Sequence, residues 1–188
     1  MSAGKLQQLL RERSLEGGLA PASGPVALPA HVRQLRDYWD SKRRGRSMPA
    51  RADIDPAEIK PLLPQLVIAE LFTDPLRVRF RLAGTKICEA FGFNITGRWL
   101  EELDLSADLG FWLAQYQRLI SASEPVYGRT TGTRGPVELF RSDWALFPLS
   151  SDGQQRADQS LEIEEWTKGG PTARFDDDTI NWCAVVLP

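Results

Sequence analysis

The sequence is short of the residues that carry most enzymatic chemistry. Among 188 residues there is one histidine, His31, and there are only two cysteines, Cys88 and Cys183. One histidine outside any catalytic spacing leaves Ser-His-Asp and Cys-His arrangements without their base, and a histidine-ligated haem without its ligand inside the fold. The two cysteines lie far apart in apolar surroundings and belong to no metal-ligand spacing, so they read as buried free thiols. No phosphate loop, dinucleotide fingerprint or kinase motif is present. No cofactor is therefore expected.

Long apolar runs are missing as well. Nothing approaches the roughly 20 residues that a membrane-spanning helix requires. The stretch Met1–Arg13 is polar and charged and lacks the apolar centre of a secretory signal. A cytoplasmic protein with no membrane partner is the expectation.

Net charge is −2, which offers no general polycation. Its distribution is uneven: ten Lys and Arg stand against four Asp and Glu up to Arg51, and thirteen against twenty-one beyond it. A basic arm on an acidic body can meet nucleic acid, a membrane surface or an acidic protein face. The cluster Lys42-Arg43-Arg44-Gly45-Arg46 also suits a solvated helix end that complements the helix dipole. That plainer reading is preferred, and nucleic acid is not an expected partner.

What is present is an alternation of short elements. Lys5–Arg13 carries Leu6, Leu9 and Leu10 at helical spacing, and the Gly-, Pro-, Ala- and Ser-rich stretch to Pro29 reads as a flexible linker. Residues 1–29 form an N-terminal arm, and 30–188 a single domain. Val32, Leu35 and Trp39 make an apolar stripe on a helix ending near Gly45. Asp53 or Asp55 caps one turn that begins at Pro56 and is stopped by Pro61 and Pro64. Strands are predicted over Gln65–Phe72 and Arg77–Leu82, the second alternating Val78, Phe80 and Leu82 against three arginines. Short helical pieces follow, one capped by Thr85 and another spanning Trp99–Leu103, and then a longer helix over Leu109–Ser121. Strands return over Val126–Thr133 and Val137–Leu149, with candidates at Leu161–Trp166 and Ile180–Leu187. Clustered strands flanking clustered helices indicate an α+β fold with an antiparallel sheet. So few helices cover one sheet face, leaving the other to the N-terminal helix or to a second subunit.

Three stretches resemble a known family. They are YWDSKRRGRSMPARADIDPAEIKPLLP within Leu35–Pro64, VRFRLAGTKICEAFGFNITGRWLEELDL over Val78–Leu105, and WALFPLSSDG over Trp144–Gly153. A strand ending in RLAGT and followed by FGFNITG is similar to the short PAS-like proteins of alphaproteobacteria. The resemblance implies a PAS-like five-stranded antiparallel sheet cupping a cavity, with short helices between strands 2 and 3 and a helix before the first strand. It implies homodimerisation through that preceding helix, here by Leu35 and Trp39. One departure stands out: about two dozen residues separate the SSDG turn from the last apolar strand. Either 154–179 holds an insertion before a closing strand at Ile180–Leu187, or Leu161–Trp166 closes the sheet and the last segment is extra. The insertion is the favoured reading.

Aromatic residues gather in the region that would line a PAS cavity. Phe80, Phe91, Trp99, Trp112, Tyr116, Tyr127 and Trp144 are the candidate ligand-binding residues, with Arg129 and the tyrosines as polar groups. The same aromatics also fill a core economically, and both readings stay open. Glu101-Glu102 and Glu164-Glu165 are adjacent and split across the faces of their elements, so they read as solvated surface. Asp176–Asp178 reads as a loop. The functional expectation is a non-catalytic sensory or regulatory module that binds a small apolar or amphipathic ligand and signals through a partner protein. The alternative is a ligand-free dimerisation or interaction adaptor. A small enzyme would have to rely on Asp, Glu or Tyr for proton transfer.

Overall fold

The computed structural model describes residues 28–103, 109–134, 137–152, 156–168 and 181–187. The arm up to residue 27 and the segment 169–180, with its aspartate run, lie outside them. Helix α1 (Ala30–Arg43) follows Pro29, whose extended backbone leads into the first turn, and ends where Arg44 turns left-handed at φ 51°. Strands β1 (Leu66–Thr73) and β2 (Leu76–Ala83) form a hairpin, followed by helices α2 (Thr85–Phe91) and α3 (Leu109–Ala122). Strands β3 (Val126–Arg134), β4 (Val137–Leu149), β5 (Gln159–Lys168) and β6 (Asn181–Leu187) complete an antiparallel sheet of order β2-β1-β5-β4-β3-β6. The first five strands are the expected antiparallel set, and β6 extends it along β3. Among the described residues no helix is long and apolar enough to cross a membrane.

The favoured placement of an insertion over 154–179 is corrected by this order. β5 lies at the sheet centre, with Leu161 opposite Ile68 of β1 on one side and Phe147 of β4 on the other. It follows the SSDG turn directly, as the second reading had it. The Ile180–Leu187 segment becomes the outer strand β6, paired with β3 through Thr131 and Cys183. A strand hydrogen-bonded along both edges belongs to the sheet rather than to a loop inserted before it.

Each sheet face carries its own core. On the outer face Val32, Leu35 and Trp39 of α1, with Met48, Ile54, Ile59 and Leu62, pack on Leu66, Ile68, Phe147, Leu149, Leu161 and Ile163. Leu35 is 0 % exposed and Trp39 3 %, and the Trp39 indole donates to the Pro148 carbonyl at 2.8 Å. Both residues, expected at a dimer interface, are spent on covering the sheet of their own chain. The i, i+3, i+7 stripe is the same in either case, because it specifies a buried helix face and not what buries it.

The three family-like stretches meet in space. Ala50 bridges Ser150, with Arg51 N donating to Ser150 O at 2.7 Å and Ser150 N to Pro49 O at 3.1 Å. Gly84 N donates to Leu66 O at 2.8 Å, and a Cβ on Gly84 would collide with the Leu63 and Pro64 carbonyls. Gly84 rather than Thr85 is therefore the N-cap of α2. Gly97 N donates to Phe80 O and Phe80 N to Arg98 O, laying the NITG loop along the free edge of β2. Covering a free edge in this way blunts its tendency to pair with another chain.

Two local readings change. The segment Pro56–Gln65 stays helical in 3-10 form through Pro61 and Pro64, with a kink at Ile59. Asp55 caps it by accepting from Ala57 N at 2.8 Å. In β2 a register shift against Ile68/Ala69 places Leu82 opposite Ile68. Val78 and Phe80 face inward as expected, but the shift turns Leu82 out, and it is 41 % exposed. One extra residue in a strand reverses the facing of everything after it.

Candidate functional site

On the inner face α2, α3 and the turn at Leu100–Leu103 pack over the concave side of the sheet. They leave a cavity of about 50 Å³. Its wall is apolar and aromatic, with Val67 and Phe80 from the hairpin, Ile87 and Phe91 from α2, and Trp112 and Tyr116 from α3. Its polar side comes from β5, which presents Glu162, Glu164 and Trp166 on successive inward positions.

Glu162 is the unusual member, only 8 % exposed at the centre of the sheet. Tyr116 Oη donates to its Oε1 at 3.0 Å and Ser160 Oγ donates to the same oxygen at 2.5 Å. Its other oxygen, Oε2, has no hydrogen-bond partner among the described residues. Burial raises the Glu162 carboxyl to about 7, against two stabilising hydrogen bonds, with the charge of Glu164 adding to the rise. Burial likewise pushes the Tyr116 phenol well above its ordinary value, and the Glu162 carboxylate adds to the effect. Glu164 accepts from Ser142 Oγ of β4. A carboxyl poised near neutrality in an apolar cavity can accept a hydrogen bond, hold a proton or pair with a cation.

The expected site residues divide. Phe80, Phe91, Trp112 and Tyr116 line the cavity. Trp144 stands behind it, 2 % exposed, its ring 5.0 Å from Trp112 and its indole donating to Thr130 Oγ1 at 3.2 Å. Trp99 does not line the cavity: it stacks on Phe72 at 5.3 Å and carries the Arg77 guanidinium 3.8 Å above its ring. Tyr127 packs on Phe147 of the outer core at 5.8 Å, and Arg129 pairs with Asp143 at 2.6 Å. The Tyr127 and Arg129 positions point away from the cavity because Val126, their strand neighbour, faces inward.

The sequence reading missed Glu162 and placed Glu164 at the surface. Glu164 and Glu165 do split, since Glu165 faces outward to accept from Gln65 Nε2 at 3.0 Å and pair with His31 Nδ1 at 2.6 Å. The run Leu161-Glu162-Ile163-Glu164 alternates as a half-buried strand does, with acids toward water. Only the central position of β5, covered on both faces, turns those acids inward, and no local pattern encodes that position.

Arg46 pairs with Asp53 at 2.5 Å and Lys42 with Glu58 at 2.6 Å, so part of the basic cluster is spent on the chain's own acids. Hydrogen bonding from Arg46 is the main cause holding Asp53 below its ordinary carboxylate value. Cys88 is a free, half-buried thiol, and the Cys183 side chain lies outside the described residues. Among the described residues no group of three or more His, Cys, Asp and Glu could hold a metal ion. A second hollow, an apolar surface groove of about 370 Å³, runs beside Ile59, Leu63, Ile68 and Leu82. Among the described residues that line it there is no carboxyl; Arg51 and Thr85 are its polar members.

No curated protein and no solved structure matches the chain. A family model described as PAS domain matches residues 28–157, well over half of its length, from α1 to the turn before β5. With the sheet order, the inner helices and the cavity they enclose, this match shows that the chain belongs to the PAS domain family, whose members are sensory and regulatory modules.

Proposed function

We propose that the inner cavity is the sensing site of a non-catalytic module, taking a small amphipathic molecule and passing its presence to a partner protein. The observation that carries this reading is Glu162, a buried carboxyl in a largely apolar cavity, with one oxygen that has no hydrogen-bond partner among the described residues. Burying such a group costs free energy that a filled apolar core would avoid. A polar anchor among aromatic walls is the usual form of a small-molecule site. The volume of about 50 Å³ restricts the occupant to a compact one.

The outward route is short. Glu162 and Glu164 face the cavity, while Ile163 and Glu165 of the same strand face α1. The His31–Glu165 contact at 2.6 Å ties the start of that helix to the strand. A shift of β5 on ligand entry would therefore reach α1, and through α1 a partner. With Leu35 and Trp39 buried, a homodimer would have to form through other residues.

The small volume favours a second reading, a ligand-free interaction adaptor whose inner face is plain core. Replacement of Trp112 separates the two. Trp112→Ala is expected to change ligand retention by a larger factor than it changes the unfolding midpoint, measured by mass spectrometry and circular dichroism on the same preparation. Loss of stability with no ligand to lose would support the adaptor.

A further inference from the structure

We infer that the ligand of the inner cavity is an organic ammonium ion, bound with its cationic head against Glu162 Oε2 and its alkyl part against the aromatic wall. The inference rests on the reading of the cavity as a ligand site and adds the charge and chemical class of the ligand. Three observations carry it. Glu162 is buried, its Oε1 accepts two hydroxyl donors, and its Oε2 has no partner among the described residues. Five aromatic rings line the same cavity, those of Phe80, Phe91, Trp112, Tyr116 and Trp166. No lysine, arginine or histidine is among the described residues that line it.

Aromatic faces and carboxylates attract the same kind of head group. A cation over a ring face gains from the ring quadrupole, more so when desolvated, and a charge-assisted N–H···O bond to a carboxylate is stronger than a neutral one. An anion would meet the Glu162 carboxylate with no lysine, arginine or histidine among the described lining residues. A neutral molecule would meet the protonated carboxyl and gain no charge-assisted bond.

The groups facing Glu162 set the pH dependence. Tyr116 faces it from α3, and Ser160 and Glu164 share its strand. Its cross-strand neighbours are Val67 of β1 and Leu146 of β4, and α2 contributes Ile87 and Phe91, none of them titratable. The carboxyl must release its proton before it pairs with a cation, and the proton leaves to solvent. Raised to about 7, it makes cation binding strengthen as pH rises through neutrality.

The test is a titration of the full-length protein, followed by nitrogen-15 chemical shifts, with n-butylammonium, 1-butanol and butyrate as probes of one shape and three charges. At about pH 8 butylammonium is expected to shift the signals of cavity residues and to bind at least about tenfold more tightly than butanol, with butyrate weakest. From about pH 8 to about pH 6 its affinity is expected to fall by roughly tenfold, that of butanol staying constant. Glu162→Gln is expected to abolish the preference for the cation. If that variant fails to fold, the wild-type comparison of probes and pH still decides. Butanol binding in the cavity as tightly as butylammonium would overturn the ammonium inference and leave the ligand site standing. No cavity shifts with any of the three probes would overturn both.

Discussion

Glu162 shows how far one residue's behaviour depends on the layer it sits in. With a carboxyl raised from 4.5 to about 7, the folded chain holds a proton that the unfolded chain has released. Folding stability is therefore expected to fall as pH rises from about 4.5 to about 7 and to level off above it, by about 3 kcal/mol for this group alone. Glu162→Gln should remove that slope, which urea unfolding at a series of pH values would show; an unchanged slope would mean that another group carries it. Gly128 is a second sensitive position. A Cβ there would run into the Trp144 indole, so Gly128→Ala should cost about 1–3 kcal/mol and alter Trp144 fluorescence. The aromatics Phe80, Phe91, Trp112 and Tyr116 were named in sequence because the family resemblance put them in the region of a cavity, with plain core left open, and they line the inner hollow. Trp99, Tyr127 and Arg129 were not separable from them, since residue type alone does not tell an inner face from an outer one.

Among the elements, α1 and β5 decide how the sheet is used. The stripe Val32, Leu35 and Trp39 announces a helix that must be covered, and the Trp39–Pro148 hydrogen bond shows that the covering is intramolecular. Trp39→Ala should therefore destabilise the single chain by about 3–5 kcal/mol. The loss should be independent of protein concentration in denaturant melts; a concentration-dependent midpoint would return Trp39 to a subunit interface. β5 is the element that the linear pattern hid. Its alternation suited an edge strand, whereas its pairing with both β1 and β4 makes it the centre. A chain ending at Asp158 should lose cooperative unfolding, since it lacks the strand joining the two halves of the sheet. A chain ending at Lys168 should keep its fold, because β6 pairs with β3 only. Circular dichroism melts of the two truncations check both outcomes.

At the scale of the whole molecule, the sheet separates two cores. The outer core fixes α1, and the inner core surrounds a cavity with an acidic side. The succession of elements along the chain and the α+β class were readable from the sequence because turn residues and apolar periods mark nearly every element. Which strand lay at the centre was not, because that depends on pairing between segments about a hundred residues apart. The central proposal is that the inner cavity holds a small molecule. Mass spectrometry of the purified wild-type protein, first native and then denatured, tests this most directly. The native mass is expected to exceed that of the chain by one small molecule, released on denaturation. The bare chain mass in both states would contradict it and leave the ligand-free adaptor as the function of the fold.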